Sequence, residues 1–227
     1  MGMAYKYLQY FFIDVHFFIQ RKILVFCSFI RIFVRTFNDI DKMKTEMEKM
    51  RSGELYSFAD AEVTASIVRA QKLCARLRMM SIHDEDYRKL IQELIPGIPD
   101  NSTICPPFHC DHGHGILLGE NVFINYNATM LDSAFIRIGK NTKVGPNCQF
   151  YSVNHPLDYM ERRKPQETGY PITIGEDCWI AGGVIICPGV TIGHRCIIAA
   201  GSVVTKDIPD DSLAAGCPAV VKRKLNE

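Results

Sequence analysis

The residues best suited to chemistry lie in one polar stretch, Tyr151–Tyr170, which reads YSVNHPLDYMERRKPQETGY. His155 precedes Pro156. A residue before proline is held to extended backbone, so the imidazole gains a defined direction. Imidazole titrates close to neutral pH and is the natural base for taking a proton from a hydroxyl. A second cluster runs from Cys105 to His114 and carries His109, Cys110, Asp111, His112 and His114. It admits two readings: a metal site, although the spacing is too tight for a zinc ribbon or finger, or a strand whose polar side chains line a groove. A third stretch holds Asn125, Asn127 and Asp132, whose amides and carboxylate suit a polyhydroxylated ligand. A fourth places Ala199, Ala200 and Gly201 near Thr205, Lys206, Lys222, Arg223 and Lys224. Small residues beside cations could hold a flexible ligand that ends in phosphates.

What must position these groups is a repeat. Ile174, Ile180, Ile186, Ile192, Ile198 and Val204 stand six apart. A helix needs a spacing near 3.6 and a lone strand a spacing of two, so a period of six means short strands joined by tight turns. Stacked, they make a parallel β-helix in which each coil covers the interior of the next. An earlier array, Leu118, Ile124 and Met130, then Ile138, Val144 and Phe150, keeps the period apart from a two-residue slip near Ala134–Ile136. Gly119, Gly139, Gly145, Gly175 and Gly193 follow their aliphatics, and positive φ at sharp corners is the role read for them. Asn121, Asn125, Asn127, Asn141 and Asn147 suit the same corners.

Residues 43–100 read as a helical cap over the open end of the coil, and residues 101–227 as the β-helix with a protruding loop at 151–171 and a charged C-terminal tail. Val63, Ile67, Ala70, Leu73 and Leu77 form one apolar helical face, with Asp60 placed to cap its start. A second helix is expected to open near Asp84, with Glu85 and Asp86 in its first turn, and to stop at Pro96–Gly97. Residues 1–42 form an atypical hydrophobic and basic leader, too interrupted by charge for a clean transmembrane helix. An amphipathic membrane-surface segment is one reading of it, and an unneeded extension ahead of Met43 the other.

The chain has 227 residues, a net charge of +1 and nine cysteines. That charge advertises neither nucleic acid nor an anionic membrane. Scattered cysteines in odd number, without a signal peptide, point to a reducing cytoplasm rather than a disulfide framework.

From Met43 onward the chain resembles the maltose/galactoside O-acetyltransferases, a branch of the hexapeptide-repeat acyltransferases. The motifs that carry the resemblance are GELY at Gly53–Tyr56, PPFHCDHG at Pro106–Gly113, INYN at Ile124–Asn127, NHPLD at Asn154–Asp158, PITIGEDCWI at Pro171–Ile180, PGVTIG at Pro188–Gly193 and AAGSVVTKDIP at Ala199–Pro209. The resemblance implies a left-handed parallel β-helix, a homotrimer with sites between neighbouring subunits, acetyl-CoA as donor, a sugar hydroxyl as acceptor, and no metal. It implies His155 as general base and an acceptor pocket with Asp111, Asn125 and Asp132. It also implies a backbone amide at Gly182 near the thioester carbonyl, and coenzyme contacts from Ala200, Thr205, Lys206 and Arg223. The family's acidic position after GELY is Ser57 here, so the nearest carboxylate, Asp60, is assigned to the acceptor. Two rival readings accompany this one. A metal-dependent γ-type carbonic anhydrase on the same coil needs three converging histidines. An inert β-helix scaffold needs none of the groups above.

Overall fold

The computed structural model describes residues 44–225 of the chain; the 1–42 leader and its membrane reading lie outside the described residues. The period of six becomes a register. Ile174 pairs with Ile192, Ile180 with Ile198 and Ile186 with Val204, so one coil is three hexapeptides and each aliphatic lies on its predecessor. Upstream the columns continue as Leu118–Ile138–Ile174, Ile124–Val144–Ile180 and Met130–Phe150–Ile186. Three parallel sheets result, one per side of the coil. All these residues but Leu118 are buried, which removes a continuous apolar column from water. The protein is mainly β, a parallel β-helix of hexapeptide repeats.

The glycines after the aliphatics do not serve as expected. Gly139 and Gly175 are not in the left-handed region. Their role is close approach: a Cβ on Gly139 would lie 2.6 Å from the carbonyl carbon of Gly175, and one on Gly175 2.7 Å from that of Gly193. The left-handed corners belong to other residues. Asn121, Asn141, Asp177, Arg195 and Asp211 have positive φ, as do Asn127, Asn147, Gly183 and Gly201. Asn125 does not, so it is no corner residue of this kind. Side chains ladder along the first group, Asn121 Nδ2 donating to Asn141 Oδ1 and Asn141 Nδ2 to Asp177 Oδ1, each at 2.9 Å.

Helix α1 (Glu46–Ser52) opens on a capping box between Thr45 and Glu48 and ends at Gly53 with φ 78°. Strand β1 (Leu55–Ser57) follows, then α2 (Ala61–Leu77) and α3 (Tyr87–Leu94). Asp60 caps α2 by accepting from the amides of Glu62 and Val63. The expected opening of α3 at Asp84 is corrected by one turn. Asp84 closes a turn by accepting from the amides of Ser81 and Tyr87, which leaves Glu85 and Asp86 outside the helix. Leu73, Leu77, Leu90, Ile91 and Leu94 share one core with Ile104, Phe108 and Ile116 of the first coil. Tyr87 finishes the exposed strand edge there, its hydroxyl donating to the Ile104 carbonyl and accepting from the Ile104 amide. At the other end the charged tail folds back, Ala219–Lys224 pairing antiparallel with Ser212–Gly216.

Two irregularities build the site. The two-residue slip is a buried corner at Asp132, Ser133 and Ala134. The polar interruption is a hairpin: Val153–Asn154 pairs antiparallel with Gln166–Gly169, and β1 adds on the outer side in the register Leu55–Thr168, Tyr56–Glu167, Ser57–Gln166. A short helix, α4 (Tyr159–Arg162), forms its tip and is capped by Asp158. Among the described residues no helix is long and apolar enough to cross a membrane.

Candidate active site

His155 leaves the first strand of the hairpin with about half of its side chain exposed, at a cavity of about 430 Å³. Leu55, Asn154, Gln166, Thr168 and Tyr170 are among the residues that line it. The Nε2 of His155 lies 3.7 Å from Oε2 of Glu167, and the ring of Phe58 meets the imidazole edge-on at 6.3 Å. Glu167 is mostly buried. Its other oxygen accepts from the hydroxyl of Tyr56 and, at 3.4 Å, from that of Ser133. One oxygen is thereby anchored and the other turned toward the imidazole. Burial of Tyr56, and then its bond to Glu167, push the phenol well above its usual range, so its proton stays on the hydroxyl.

Asp111 does not line the cavity, but it is near enough for charge to act between it and both Tyr56 and Glu167. Burial, and then the charges of Asp132 and Glu167, raise its carboxyl to about 7. At neutral pH a large share of the carboxyl is therefore protonated and can donate a hydrogen bond as well as accept one.

Asp132 does not fit the acceptor role assigned to it. It is fully buried, and its carboxylate accepts from three backbone amides: Asp111 (3.1 Å) and His112 (2.8 Å) on one oxygen, Gly115 (2.9 Å) on the other. It stitches the turn at 111–115 to the slip corner and has no face left for a ligand. Asp60 is half-buried and caps its helix through Oδ1 alone. Asn125 uses its side-chain oxygen on the amide of Tyr126 at 2.8 Å.

The histidine-rich turn is a structural chain. Arg51 can only donate, so Nδ1 of His114 accepts from it at 2.8 Å. Nε2 of His114 then donates to Ser66 Oγ, and Ser66 donates to Nδ1 of His112, each at 2.9 Å. Arg51 also donates to the carbonyls of Asp132 and Ser133. Burial lowers His112 to about 4 and lowers His114 as well, so both are neutral, as the chain requires. Cys110 packs its sulfur 3.8 Å from that of Cys74 on α2. Among the described residues no three His, Cys, Asp or Glu converge in a metal-holding group.

The remaining site residues form a separate set on the later coils. Gly182 and Ala200 lie in stacked turns, where the amide of Gly201 donates to the carbonyl of Gly182 at 3.0 Å. Thr205 and Lys206 follow the strand Val203–Val204 and are exposed. Arg223 lies opposite Leu213 in the C-terminal hairpin. None of these five lines the cavity beside His155. Reading the sequence missed Glu167, Tyr56 and Ser133. The signal for Glu167 was a carboxylate in the same loop as His155; its partners come from distant segments.

Comparison with known proteins agrees with this architecture. The family described as bacterial transferase hexapeptide (six repeats) matches residues 171–206, and the maltose acetyltransferase hexapeptide capping motif matches residues 49–98. The fold and these matches define a hexapeptide-repeat transferase. Nodulation protein L of Rhizobium meliloti (strain 1021) is 40% identical over 180 residues, spanning 79% of this chain and 98% of that protein. The crystal structure of a hexapeptide-repeat-containing acetyltransferase from Vibrio cholerae O1 biovar eltor, complexed with acetyl coenzyme A, is 41% identical with a TM-score of 0.76 over 81% of this chain and 100% of that one. A maltose O-acetyltransferase from Clostridium difficile 630 is 38% identical with a TM-score of 0.78 over 81% and 99%. The chain belongs to the maltose/galactoside O-acetyltransferase family of hexapeptide-repeat acyltransferases, and is an acetyltransferase of that family.

Proposed function

We propose that this protein transfers an acetyl group from acetyl-CoA to a sugar hydroxyl, of the maltose/glucose or galactoside type, with His155 as general base. The observation that carries the reading is the placement of His155: half-exposed at a cavity, on a loop held by three paired strands, and facing a carboxylate fixed from behind. The imidazole takes the hydroxyl proton as the sugar oxygen attacks the thioester carbonyl. The Gly182 amide meets the developing oxyanion. The carbon–sulfur bond then breaks, and the coenzyme thiolate receives the proton from the imidazolium. Glu167 holds the ring and offsets its positive charge. Asp111 and Asn125 belong on the acceptor side; Asp60 stays with them through the carboxylate oxygen that its helix cap does not use, whereas Asp132 is withdrawn because it is fully buried with both oxygens bonded to backbone amides.

Ala200, Thr205, Lys206 and Arg223 are the proposed coenzyme contacts. They sit on the later coils and the C-terminal hairpin, on elements other than the loop that carries His155, which suits a homotrimer in which the coenzyme residues of one copy face the histidine of a neighbour. The test is an acetyl-transfer assay of the full chain against maltose, glucose and galactosides. Replacing His155 with Ala should lower turnover by roughly 10²–10⁴. A rate equal to wild type would reject the base assignment.

A further inference from the structure

Resting on the reading of His155 as base, we propose that Tyr56 is a positioning residue for the reaction: its hydroxyl fixes Glu167, and Glu167 fixes the imidazole. Tyr56 belongs to the helical cap, far along the chain from the loop it would serve. Strand pairing brings it there, with Tyr56 and Glu167 directly opposite in the β1 ladder and their side chains on one face. The phenol is 2% exposed and its hydroxyl donates to Oε1 of Glu167. Ser133, from the buried slip corner, reaches the same oxygen at 3.4 Å. Oε2 is left to face His155.

A carboxylate that orients a base is useful only if it is itself held, since a free carboxylate would swing between rotamers and lose the alignment. The cap thus does more than cover apolar surface. On the strand that carries Tyr56 it also presents Leu55 to the cavity.

The experiment is a mutant cycle in the full chain, read as kcat and KM for both substrates. Tyr56→Phe removes one oxygen and keeps the ring. The expected result is a fall in kcat of about tenfold with KM changed less than about twofold, because the alignment matters in the transition state rather than in binding. In the His155→Ala background the same substitution should leave the residual rate unchanged, since there is no imidazole to align. A wild-type kcat in Tyr56→Phe overturns the proposal, as does an equal fall in both backgrounds, which is what a structural defect gives. If Tyr56→Phe does not fold, Tyr56→Phe/Glu167→Gln leaves no buried charge unpaired and decides. A rate equal to Glu167→Gln alone supports the proposal; a further fall of about fivefold or more overturns it. If His155→Ala turns over at the wild-type rate, the base assignment fails and this inference goes with it. If only Tyr56→Phe does so, the base assignment stands and this inference alone is lost.

Discussion

Asp111 and His112 are neighbours whose titrations oppose each other, and separating them tests the electrostatics of the site. The carboxyl of Asp111 rises from 3.8 to about 7 on folding. Between those values the native chain holds a proton that the unfolded chain has lost, so stability falls as pH rises. Over the whole window this is worth about 4 kcal/mol as an upper value. His112 drops from 6.5 to about 4. Across that window the unfolded chain binds the extra proton, so stability rises with pH, by about 3 kcal/mol as an upper value. Wild type should therefore show a flattened profile between pH 4 and 7 in which the two slopes cancel. Asp111→Asn removes the first slope, and its stability relative to wild type should climb through this range. His112→Asn removes the second while keeping an acceptor for Ser66, and its stability relative to wild type should fall. The assay is denaturant unfolding at fixed protein concentration in steps of about half a pH unit, compared as differences from wild type so that shared titrations drop out. If both variants run parallel to wild type within about 0.5 kcal/mol, neither group is shifted as burial demands and the reasoning fails.

Two further outcomes concern the architecture. Asp132→Ala leaves three buried amides without an acceptor and should lower stability by about 2–4 kcal/mol, read as a drop in denaturation midpoint; an unchanged midpoint with a raised acceptor KM would instead restore Asp132 to the pocket. Gly175→Ala pushes a methyl into the backbone of the next coil and should cost about 1–3 kcal/mol, whereas a neutral result in thermal melting would mean that the coils separate more readily than their spacing implies.

The period of the aliphatics was legible because one constraint, the buried column, fixes one residue type at each sixth position. The reason for the glycines was not. Gly139 and Gly175 follow aliphatics in the chain, but what excludes a side chain there is the adjacent coil, which sequence spacing does not display. The Asp60 cap could be read locally; Asp132 could not, because a carboxylate in a polar run looks like a ligand until its three amide donors are seen. His155 stood out through its proline and its loop. Glu167 did not, since its importance arises from β1, about a hundred residues upstream, and from a corner made by a two-residue slip.

A stack of parallel rungs has no intrinsic length, and each terminal rung is a template for adding another copy's rung. Here Tyr87 occupies the hydrogen-bonding groups of Ile104 at one terminus, and at the other the Ala219–Lys224 strand runs against the direction of the sheet it joins. On this sheet the edge that a further parallel rung would need is thereby taken at both termini, by a side chain at one and by a strand of opposite direction at the other.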